Sequence, residues 1–493
     1  MRIDKPNHWA ASSAKYRQPM LFKVPLSAID FEYQYNGMIR PLVPPWIIWL
    51  KQIIPLNRSN IAVIACPIIL ANMATPMLGF VDTAVIGNLG DPALLGAIAL
   101  GGMIFSFLYW GFGFLRMGTT GLVAQALGAR NTIEIKGAFY RAILTGVAIG
   151  TALVVLQYPL SQAALYLIDG SPAVETAAKS YFAIRIWGAP ISLANLAVMG
   201  YLLGVQKTRA LLFLQMVLAG SNILLDVVFV VGFEWGVEGV AGATLIAEAL
   251  TLLTGFFMIR QQWQRDTIAA RLPLSVLLNT GALKRMITVN SDIMIRTLCL
   301  IFTFAWFTNE GAQAGDVMLA SNAILMQFVT FAAFFLDGFA LATETLIGQA
   351  VGDTNIKSMD IILRYSFEIG LATACLLSLL FYLLGPDVIR LLTSSADVRH
   401  TSGDYLLWAV FAPPIAFPCF LLDGAFIGAT RTKEMRNAMI ASLLAFMLAW
   451  WVLTPWGNDG LWLALHLYFI ARALSLFVYL PKLRVLGCTT NTQ

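Results

Sequence analysis

Long apolar runs recur along almost the whole chain and are separated by short polar segments. A run of about 20 apolar residues is long enough to cross the hydrocarbon core of a bilayer as a helix. The pattern therefore predicts an all-α polytopic membrane protein with twelve transmembrane helices. The predicted spans are 61–87, 94–116, 137–157, 180–205, 210–231, 237–259, 286–307, 318–347, 362–384, 404–428, 437–456 and 460–480.

The composition agrees with this prediction and assigns an orientation to it. The 493 residues are 58% hydrophobic and 12% charged, whereas soluble domains carry about 25% charged residues. With the N-terminus inside, 25 Lys and Arg side chains fall on inside segments and adjoining helix ends, and 3 fall in outside loops. This asymmetry follows the positive-inside rule and predicts that both termini are cytoplasmic. It also accounts for the net charge of +5 without a nucleic-acid partner.

The chain contains an internal repeat. The segments 119–131 and 343–355 read "TTGLVAQALGARN" and "TETLIGQAVGDTN" and match at an offset of 224 residues, which also joins Tyr181 to Tyr405 and Gly200 to Gly424. Two halves of six helices each enter the membrane with the same polarity, an arrangement found in secondary transporters. The predicted organisation is a cytoplasmic N-terminal extension (1–57), an N-terminal lobe (58–260), a cytoplasmic linker (261–285), a C-terminal lobe (286–481) and a cytoplasmic tail (482–493).

The N-terminal extension has no apolar core typical of a signal peptide. Its segment "PPWIIWLKQIIPL" is compatible with a short amphipathic anchor on the inner membrane surface. A flexible tail, or a start of the chain at Met20 or Met38, is the alternative.

The first predicted helix carries one charged residue, Asp82, between Ile61 and Gly87. A carboxylate at the centre of a membrane helix costs about 2.5–3.5 kcal/mol on insertion scales. The repeat offset places Trp306 at the position equivalent to Asp82 and Trp450 at the position equivalent to Asp226. Because the scaffold is duplicated and these acids are not, we expect them to have a functional role.

Three polar residues in the first half are predicted to lie at the same level as Asp82 and to form one polar pocket with it. Asn222 and Asp226 are four residues apart on the fifth helix and share a face, and Thr244 lies at a comparable depth on the sixth. At about 1.5 Å per residue, both acids lie about 7–8 Å inside the outer boundary. Burial and mutual repulsion favour the protonated acid there. Asp82, Asp226 and Asn222 are therefore the predicted proton-coupling residues, with sodium as the alternative ion.

Two prolines in the first helix, Pro67 and Pro76, each remove a backbone hydrogen bond. They are predicted to form a hinge for the helix that carries Asp82. A static kink, satisfied by neighbouring groups, is the alternative.

The second half has acids of its own, which either line a cation or substrate path or mark helix ends. Asp292 and Arg296, four residues apart, are predicted to form an intrahelical ion pair. Glu248 and Arg472 occupy equivalent repeat positions, and a pair between them is a further hypothesis. The acids of the suggested path are Asp337, Glu344 and Asp423.

The motifs of enzymes and metal proteins are absent from the sequence. The five cysteines and three histidines have no spacing typical of a disulfide framework or a metal site. The sequence contains no HExxH, GxSxG or Walker pattern. We therefore expect a protein that is not an enzyme and that uses no cofactor or metal.

Several segments resemble the multidrug and toxic compound extrusion (MATE) family, and most closely its DinF-like branch. They include "VDTAVIGNLG", "NILLDVVFVVG", "LDGFALATETLIGQAVG" and "DGAFIGATRT", and the similarity covers about residues 58–480. The resemblance implies a V-shaped, twelve-helix exporter of amphipathic, often cationic, organic compounds, driven by protons or sodium. In the wider superfamily, flipping of a lipid-linked precursor is a further alternative. We expect a monomer in the bacterial inner membrane, whose partners are small amphipathic organic substrates and membrane lipids.

The resemblance also assigns roles to individual residues. Asp82 matches the main protonation site of the family, and Asn222 with Asp226 matches its polar pair on helix five. Thr244 matches the associated hydroxyl, and Tyr181 a tyrosine near the same pocket. The proline that bends with protonation matches Pro67.

Overall fold

The computed structural model describes residues 58–87, 92–166, 172–265 and 272–489, and every regular element within these ranges is helical. Short 3₁₀ turns, Ile186–Gly188 and Thr454–Trp456, and a π-helical turn, Val227–Gly232, interrupt the α-helices. The α-helices are α1 (Arg58–Gly87), α2 (Pro92–Gly111), α3 (Phe114–Gly128), α4 (Thr132–Val155), α5 (Gln157–Tyr166), α6 (Pro172–Arg185), α7 (Ala189–Gly204), α8 (Thr208–Asp226), α9 (Gly236–Arg265), α10 (Leu274–Leu277), α11 (Thr280–Gln313), α12 (Asp316–Gly352), α13 (Ile356–Leu392), α14 (Ala396–Gly428), α15 (Thr432–Leu453) and α16 (Gly457–Thr489).

The described helices account for all twelve predicted spans. Ten helical stretches of the described residues are long and apolar enough to cross a membrane, and Arg58–Ala74 is a shorter apolar helix. One of the ten, Thr432–Leu483, contains two predicted spans. Its two helices, α15 and α16, are joined without a break by the 3₁₀ turn Thr454–Trp456 and pack against each other. Since a backbone in lipid must satisfy its own hydrogen bonds, each apolar run folds as a helix. The predicted all-α polytopic architecture is confirmed.

The helices are longer than the apolar runs that predicted them. α13 spans Ile356–Leu392, against a predicted 362–384, and α11 begins inside the predicted linker. The Asn279 side chain caps α11 by accepting a hydrogen bond from the backbone N–H of Ala282 at 2.9 Å. An apolar run marks only the section of a helix that lies in hydrocarbon. The helix itself continues into water until it reaches its capping residue. The predicted extension, residues 1–57, lies outside the described residues and stays a prediction.

The repeat offset of 224 residues recurs in local backbone geometry. Asn131 and Asn355 cap α4 and α13, each accepting a hydrogen bond from the backbone N–H three residues later, at 3.0 and 3.1 Å. The preceding residues, Arg130 and Thr354, have φ angles of 55° and 54°. The same turn is therefore built twice, as expected for an internal repeat.

The two halves meet where α3 packs against α12. A Cβ atom added at Gly128 would overlap the backbone oxygen of Gln349, and one added at Gly352 would overlap that of Gln125. The two contacts are related by the repeat offset, so a local twofold axis passes between these helices. We call the contact formed by Gln125, Gly128, Gln349 and Gly352 the seam.

Side-chain hydrogen bonds reinforce the seam. Gln125 Nε2 donates to the backbone oxygen of Gly428 at 2.9 Å, and Arg285 Nη2 donates to Gln125 Oε1 at 2.6 Å. On the other side of the axis, the Gln206 side chain donates to that of Gln349. The seam therefore joins polar and glycine-rich helix ends of both halves, on the predicted cytoplasmic side.

The first helix contacts both halves. α1 packs against α8 of the first half and against α12 of the second. At its start, Arg58 pairs with Glu368 of α13, with 2.6 Å between Nη2 and Oε2. The helix that carries Asp82 therefore also borders the second half.

Replacing Gly352 with alanine tests the close approach at the seam. The added methyl group meets backbone atoms that cannot rotate away, so we expect a lower melting temperature in detergent, with a cost of about 1–3 kcal/mol typical of overpacking. Gly403→Ala in α14 is the matched control, because a Cβ atom there has no neighbour within 4 Å. Equal melting temperatures for the two variants would contradict the seam geometry.

Candidate functional site

Asp226 is the last α-helical residue of α8, and the π-helical turn Val227–Gly232 follows it directly. Asp226 and Asn222, one turn earlier, are 0% and 1% exposed. π-Helical turns occur frequently at functional sites, where they locally change the helix geometry. Here the change falls immediately after a carboxylate inside a membrane helix.

The structure brings Asn222 and Thr244 together. Asn222 Nδ2 donates to Thr244 Oγ1 at 3.3 Å, and this hydroxyl donates to the backbone oxygen of Val240 at 2.9 Å. Asn222 Oδ1 is buried and has no hydrogen-bond partner among the side chains that the structure describes. The contact links α8 to α9 one turn before Asp226 and leaves an acceptor available in the interior.

The helix of Asp82 lies beside this contact. α1 packs against both α8 and the π-helical turn, and Asp82 lies five residues before its end. The described side chains of α1 end at Ala74, so those of Pro76 and Asp82 lie outside the described part of the structure. Pro67 lies within a continuous helix. The two-carboxylate pocket and the hinge at Pro67 and Pro76 stay predictions.

A buried ion pair lies on the next turn of α9 after Thr244. Arg185 at the end of α6 donates twice to Glu248, with 3.0 Å between Nη1 and Oε2. Ser192 Oγ also donates to Oε2, and Asn195 Nδ2 donates to the Glu248 backbone oxygen at 2.9 Å. The hypothesis that Glu248 pairs with Arg472 of the other half is wrong, because Glu248 faces α6 and α7 of its own half.

Aromatic rings surround the Arg185 guanidinium. The central guanidinium carbon, Cζ, lies 5.5 Å from the ring centroids of both Phe105 and Tyr109. Tyr181, one turn before Arg185 on α6, packs its ring against Phe105 at 6.1 Å. The structure thus places Tyr181 beside the Arg185–Glu248 pair.

In the second half, Asp423 of α14 lies between two arginines. Arg296 Nη1 donates to Asp423 Oδ2 at 2.7 Å, and Arg472 Nη2 donates to the same oxygen. The predicted Asp292–Arg296 pair is wrong, since Asp292 accepts from Arg436 Nη1 at 2.6 Å. Residues four apart share a helix face, but here the two side chains turn to different neighbouring helices, Asp292 to α15 and Arg296 to α14.

Asp337 and Glu344 lie within α12, which continues to Gly352, so they do not mark helix ends. Glu344 is 1% exposed, and its Oε1 has no hydrogen-bond partner among the described residues. Both acids interact electrostatically with Arg116 of α3 and with Arg296. A cation bound by these acids would compete with arginines already present, and the path through Asp337, Glu344 and Asp423 stays a prediction.

Across the part of the chain that the structure describes, no group of three or more His, Cys, Asp or Glu side chains could hold a metal ion. The acids Glu248, Asp292 and Asp423 instead pair with arginines.

The MatE family model matches the chain twice, over residues 67–228 and 293–451. The chain belongs to the MatE family. Both matches fall within the two repeats recognised from the sequence, so the family motif is itself the repeating unit.

Individual MatE relatives resemble the chain over most of its length. DNA damage-inducible protein F of Escherichia coli (strain K12) is 41% identical over 84% of this chain and 90% of its own length. A probable multidrug resistance protein NorM of Bacillus subtilis (strain 168) is 22% identical over 85% of this chain and 94% of its own.

Solved MatE structures share the fold. A mutant of the Vibrio cholerae MATE transporter VcmN aligns with a TM-score of 0.78 at 20% identity, covering 88% of this chain and 98% of that one. A MATE structure in the bent conformation aligns with a TM-score of 0.77 at 19% identity, covering 88% of this chain and 96% of that one. The predicted fold class, twelve helices in two six-helix lobes, is confirmed, and the chain belongs to a family of membrane transporters.

Sequence reasoning about this MatE protein missed the partners of Glu248. In the sequence, Arg185 is visible only as an intramembrane charge, and Ser192 and Asn195 are polar residues within an otherwise apolar α7. A search for polar residues on one face of each apolar helix would have identified the last two. It would not have shown that they converge on α9.

Replacing Glu248 with glutamine tests the Arg185–Glu248 pair. The change leaves a buried guanidinium without its counter-charge, for which we expect a loss of about 3–5 kcal/mol. It would appear as a lower melting temperature and a smaller yield of folded protein in detergent. Adding Arg185→Gln should restore part of the loss. Glu238→Gln, at the exposed start of α9, is the control, and a similar loss there would argue against the pair.

Proposed function

We propose that this MatE protein exports amphipathic organic cations in exchange for protons, with Asp82 and Asp226 as the carboxylates that bind the proton. A proton and a cationic substrate that use the same carboxylates lower each other's affinity, which is the basis of exchange. Asn222 and Thr244 form the polar wall of the same pocket. The observation that carries the proposal comes from the second half of the repeat.

Trp306 and Trp450 occupy the positions equivalent to Asp82 and Asp226. Their rings are in direct contact, with centroids 5.1 Å apart and planes at 82°. The helices that carry them, α11 and α15, pack together just as α1 and α8 do in the first half. The repeat therefore supports a position for Asp82 next to Asp226.

Asn222 Oδ1 has no hydrogen-bond partner among the side chains that the structure describes, which supports a protonated neighbour. A buried acceptor without a donor costs about 1–3 kcal/mol. A protonated carboxyl group supplies an O–H donor, whereas an ionised one supplies only acceptors. Asp82 in its protonated form would satisfy Asn222, and loss of the proton would remove that hydrogen bond. Protonation would thereby change the contact between α1 and α8, with Pro67 and Pro76 as the positions where α1 bends.

We also propose how the chain is arranged in the membrane. The halves 58–260 and 286–481 act as the two lobes, joined by a cytoplasmic linker at 261–285, with both termini cytoplasmic in a bacterial inner membrane. The distribution of Lys and Arg supports this orientation. The multidrug resistance name of a relative supports the substrate class.

Everted vesicles with an acidified lumen, in sodium-free buffer, test the proposal. A lumenal pH dye reports proton loss when ethidium is added outside. We expect proton loss for the wild-type protein and for Asp387→Asn, a control because Asp387 is exposed near the end of α13. We expect none for Asp82→Asn or Asp226→Asn at equal expression, because an amide cannot bind the proton.

Other outcomes would replace the proposal. A response that requires sodium would assign sodium as the coupling ion. Exchange that persists in Asp82→Asn would remove the coupling role from this residue. Silence with both ions would argue against amphipathic cations as substrates and favour flipping of a lipid-linked precursor.

A further inference from the structure

Two tight turns on the predicted cytoplasmic side each contain a residue with a left-handed backbone conformation. Gln206, between α7 and α8, has a φ angle of 59°, and Thr430, at the equivalent position between α14 and α15, has a φ angle of 51°. Such angles are uncommon for residues other than glycine, and most of all for a β-branched residue such as threonine. They persist only where surrounding contacts maintain them, and they are frequent in switch regions.

The side chains of both turn residues make their contacts across the seam. The Gln206 side chain donates to that of Gln349, and Gln125 Nε2 donates to Thr430 Oγ1 at 3.1 Å. Each turn is therefore bonded to the seam glutamine of the opposite half, and the repeat offset of 224 residues relates the two contacts. These hydrogen bonds must break if the two halves separate on this side of the membrane.

Arg285, in the second turn of α11, takes part in one of these two contacts. Its Nη2 donates to Gln125 Oε1 at 2.6 Å and to Thr430 Oγ1 at 3.1 Å. At the equivalent position, the first half has Ile61, an apolar residue of α1 that is 1% exposed. Hydrogen bonds from a charged donor are stronger than those between neutral groups. The contact at Thr430 is therefore stronger than its counterpart at Gln206.

The position of Arg285 allows its contacts to break and form again. Arg285 is exposed to water, and it donates to an amide and a hydroxyl rather than to a buried carboxylate. Its two acceptors belong to different halves, since Gln125 lies on α3 and Thr430 follows α14. When these bonds break, water can solvate the guanidinium. The contact thus stabilises one arrangement of the halves without making the other inaccessible.

We propose that Arg285 is a latch that holds the two halves closed on the cytoplasmic side. In the arrangement described here, its guanidinium bridges Gln125 of the first half and Thr430 of the second. When the halves separate, Arg285 and Thr430 both lose their contact with Gln125. The inference rests on the proposed exchange function in one respect, namely that the halves rock apart on the cytoplasmic side during transport.

Distances between two spin labels, measured by double electron–electron resonance in lipid nanodiscs, test the latch. The labels are attached at Ile133→Cys and Lys357→Cys, after the five native cysteines have been replaced by alanine. These exposed positions are repeat equivalents at the starts of α4 and α13, so their distance reports the separation of the halves.

We expect Arg285→Gln to raise the ratio of long to short distances about tenfold. A factor of ten corresponds to about 1.4 kcal/mol, which is near the lower end of what a hydrogen bond to a charged group contributes. Gln206→Ala removes a bond between neutral groups on the other side of the axis. We therefore expect a smaller change, about threefold.

Lys284→Gln is the matched control, because it removes the same charge from the exposed neighbour of Arg285, which makes no hydrogen bond to the seam in the described structure. It should give the wild-type distances. A second pair of labels, at Ile133→Cys and Lys207→Cys, lies within the first half. This distance should be the same with and without Arg285→Gln, which separates movement of the halves from local unfolding.

Three results would overturn the latch. Identical distance distributions for the wild-type protein and Arg285→Gln would show that this arginine does not hold the halves together. An equal shift in Lys284→Gln would show a general effect of charge. A change in the distance between Ile133 and Lys207 would show that Arg285 supports the fold of the first half instead.

Failure of the exchange function would give a different result. The distance measurement uses neither ethidium nor a proton gradient. A shift in Arg285→Gln without proton loss in the vesicle assay would therefore remove the proposed exchange and keep the latch.

Discussion

A charge placed in hydrocarbon must find its counter-charge within the protein, and this constraint organises both halves of the chain. Arg185 pairs with Glu248, and Asp423 pairs with both Arg296 and Arg472. Apolar contacts between membrane helices are nearly interchangeable with contacts to lipid, so they fix helix rotation only weakly. Buried ion pairs have specific partners, and a helix rotated away from its partner leaves a desolvated charge. The pairs therefore define which face each helix turns inward.

Comparison of the two halves distinguishes features of the common fold from residues that occur in only one half. The capped turns at Asn131 and Asn355 and the reciprocal glycine contacts are present in both halves. The buried acids are not, because Asp226, for example, has Trp450 as its counterpart. Thr120 of α3 likewise corresponds to Glu344 of α12. One architecture thus buries the polar side chains of Asn222 and Asp226 in one half and packs Trp306 against Trp450 in the other.

The sequence was sufficient to predict the helices, the repeat and the fold class, because each depends on patterns within one segment or on matches between two. The ion-pair and hydrogen-bond partners of the buried charged side chains were harder to predict. Asp292 and Arg296 share a helix face, yet each has a partner on a different neighbouring helix, and only the packing of α14 and α15 decides this. The Ser192 and Asn195 contacts to Glu248 were missed for the same reason. Helix ends were misplaced because hydropathy reports the hydrocarbon boundary and not the last hydrogen bond.

The reciprocal seam also has a bearing on how such a chain can change. Gly128 against Gln349 and Gly352 against Gln125 form the kind of contact found in an isologous dimer, in which each residue pair occurs twice. In a dimer of identical subunits, one mutation alters both copies, so an acid acquired in one subunit appears in the other as well. Covalent fusion of the two subunits removes that obligation. A fused chain can then acquire Asp226 on one side of the axis and keep a tryptophan on the other. The two halves keep the same fold, and only one of them carries the acid.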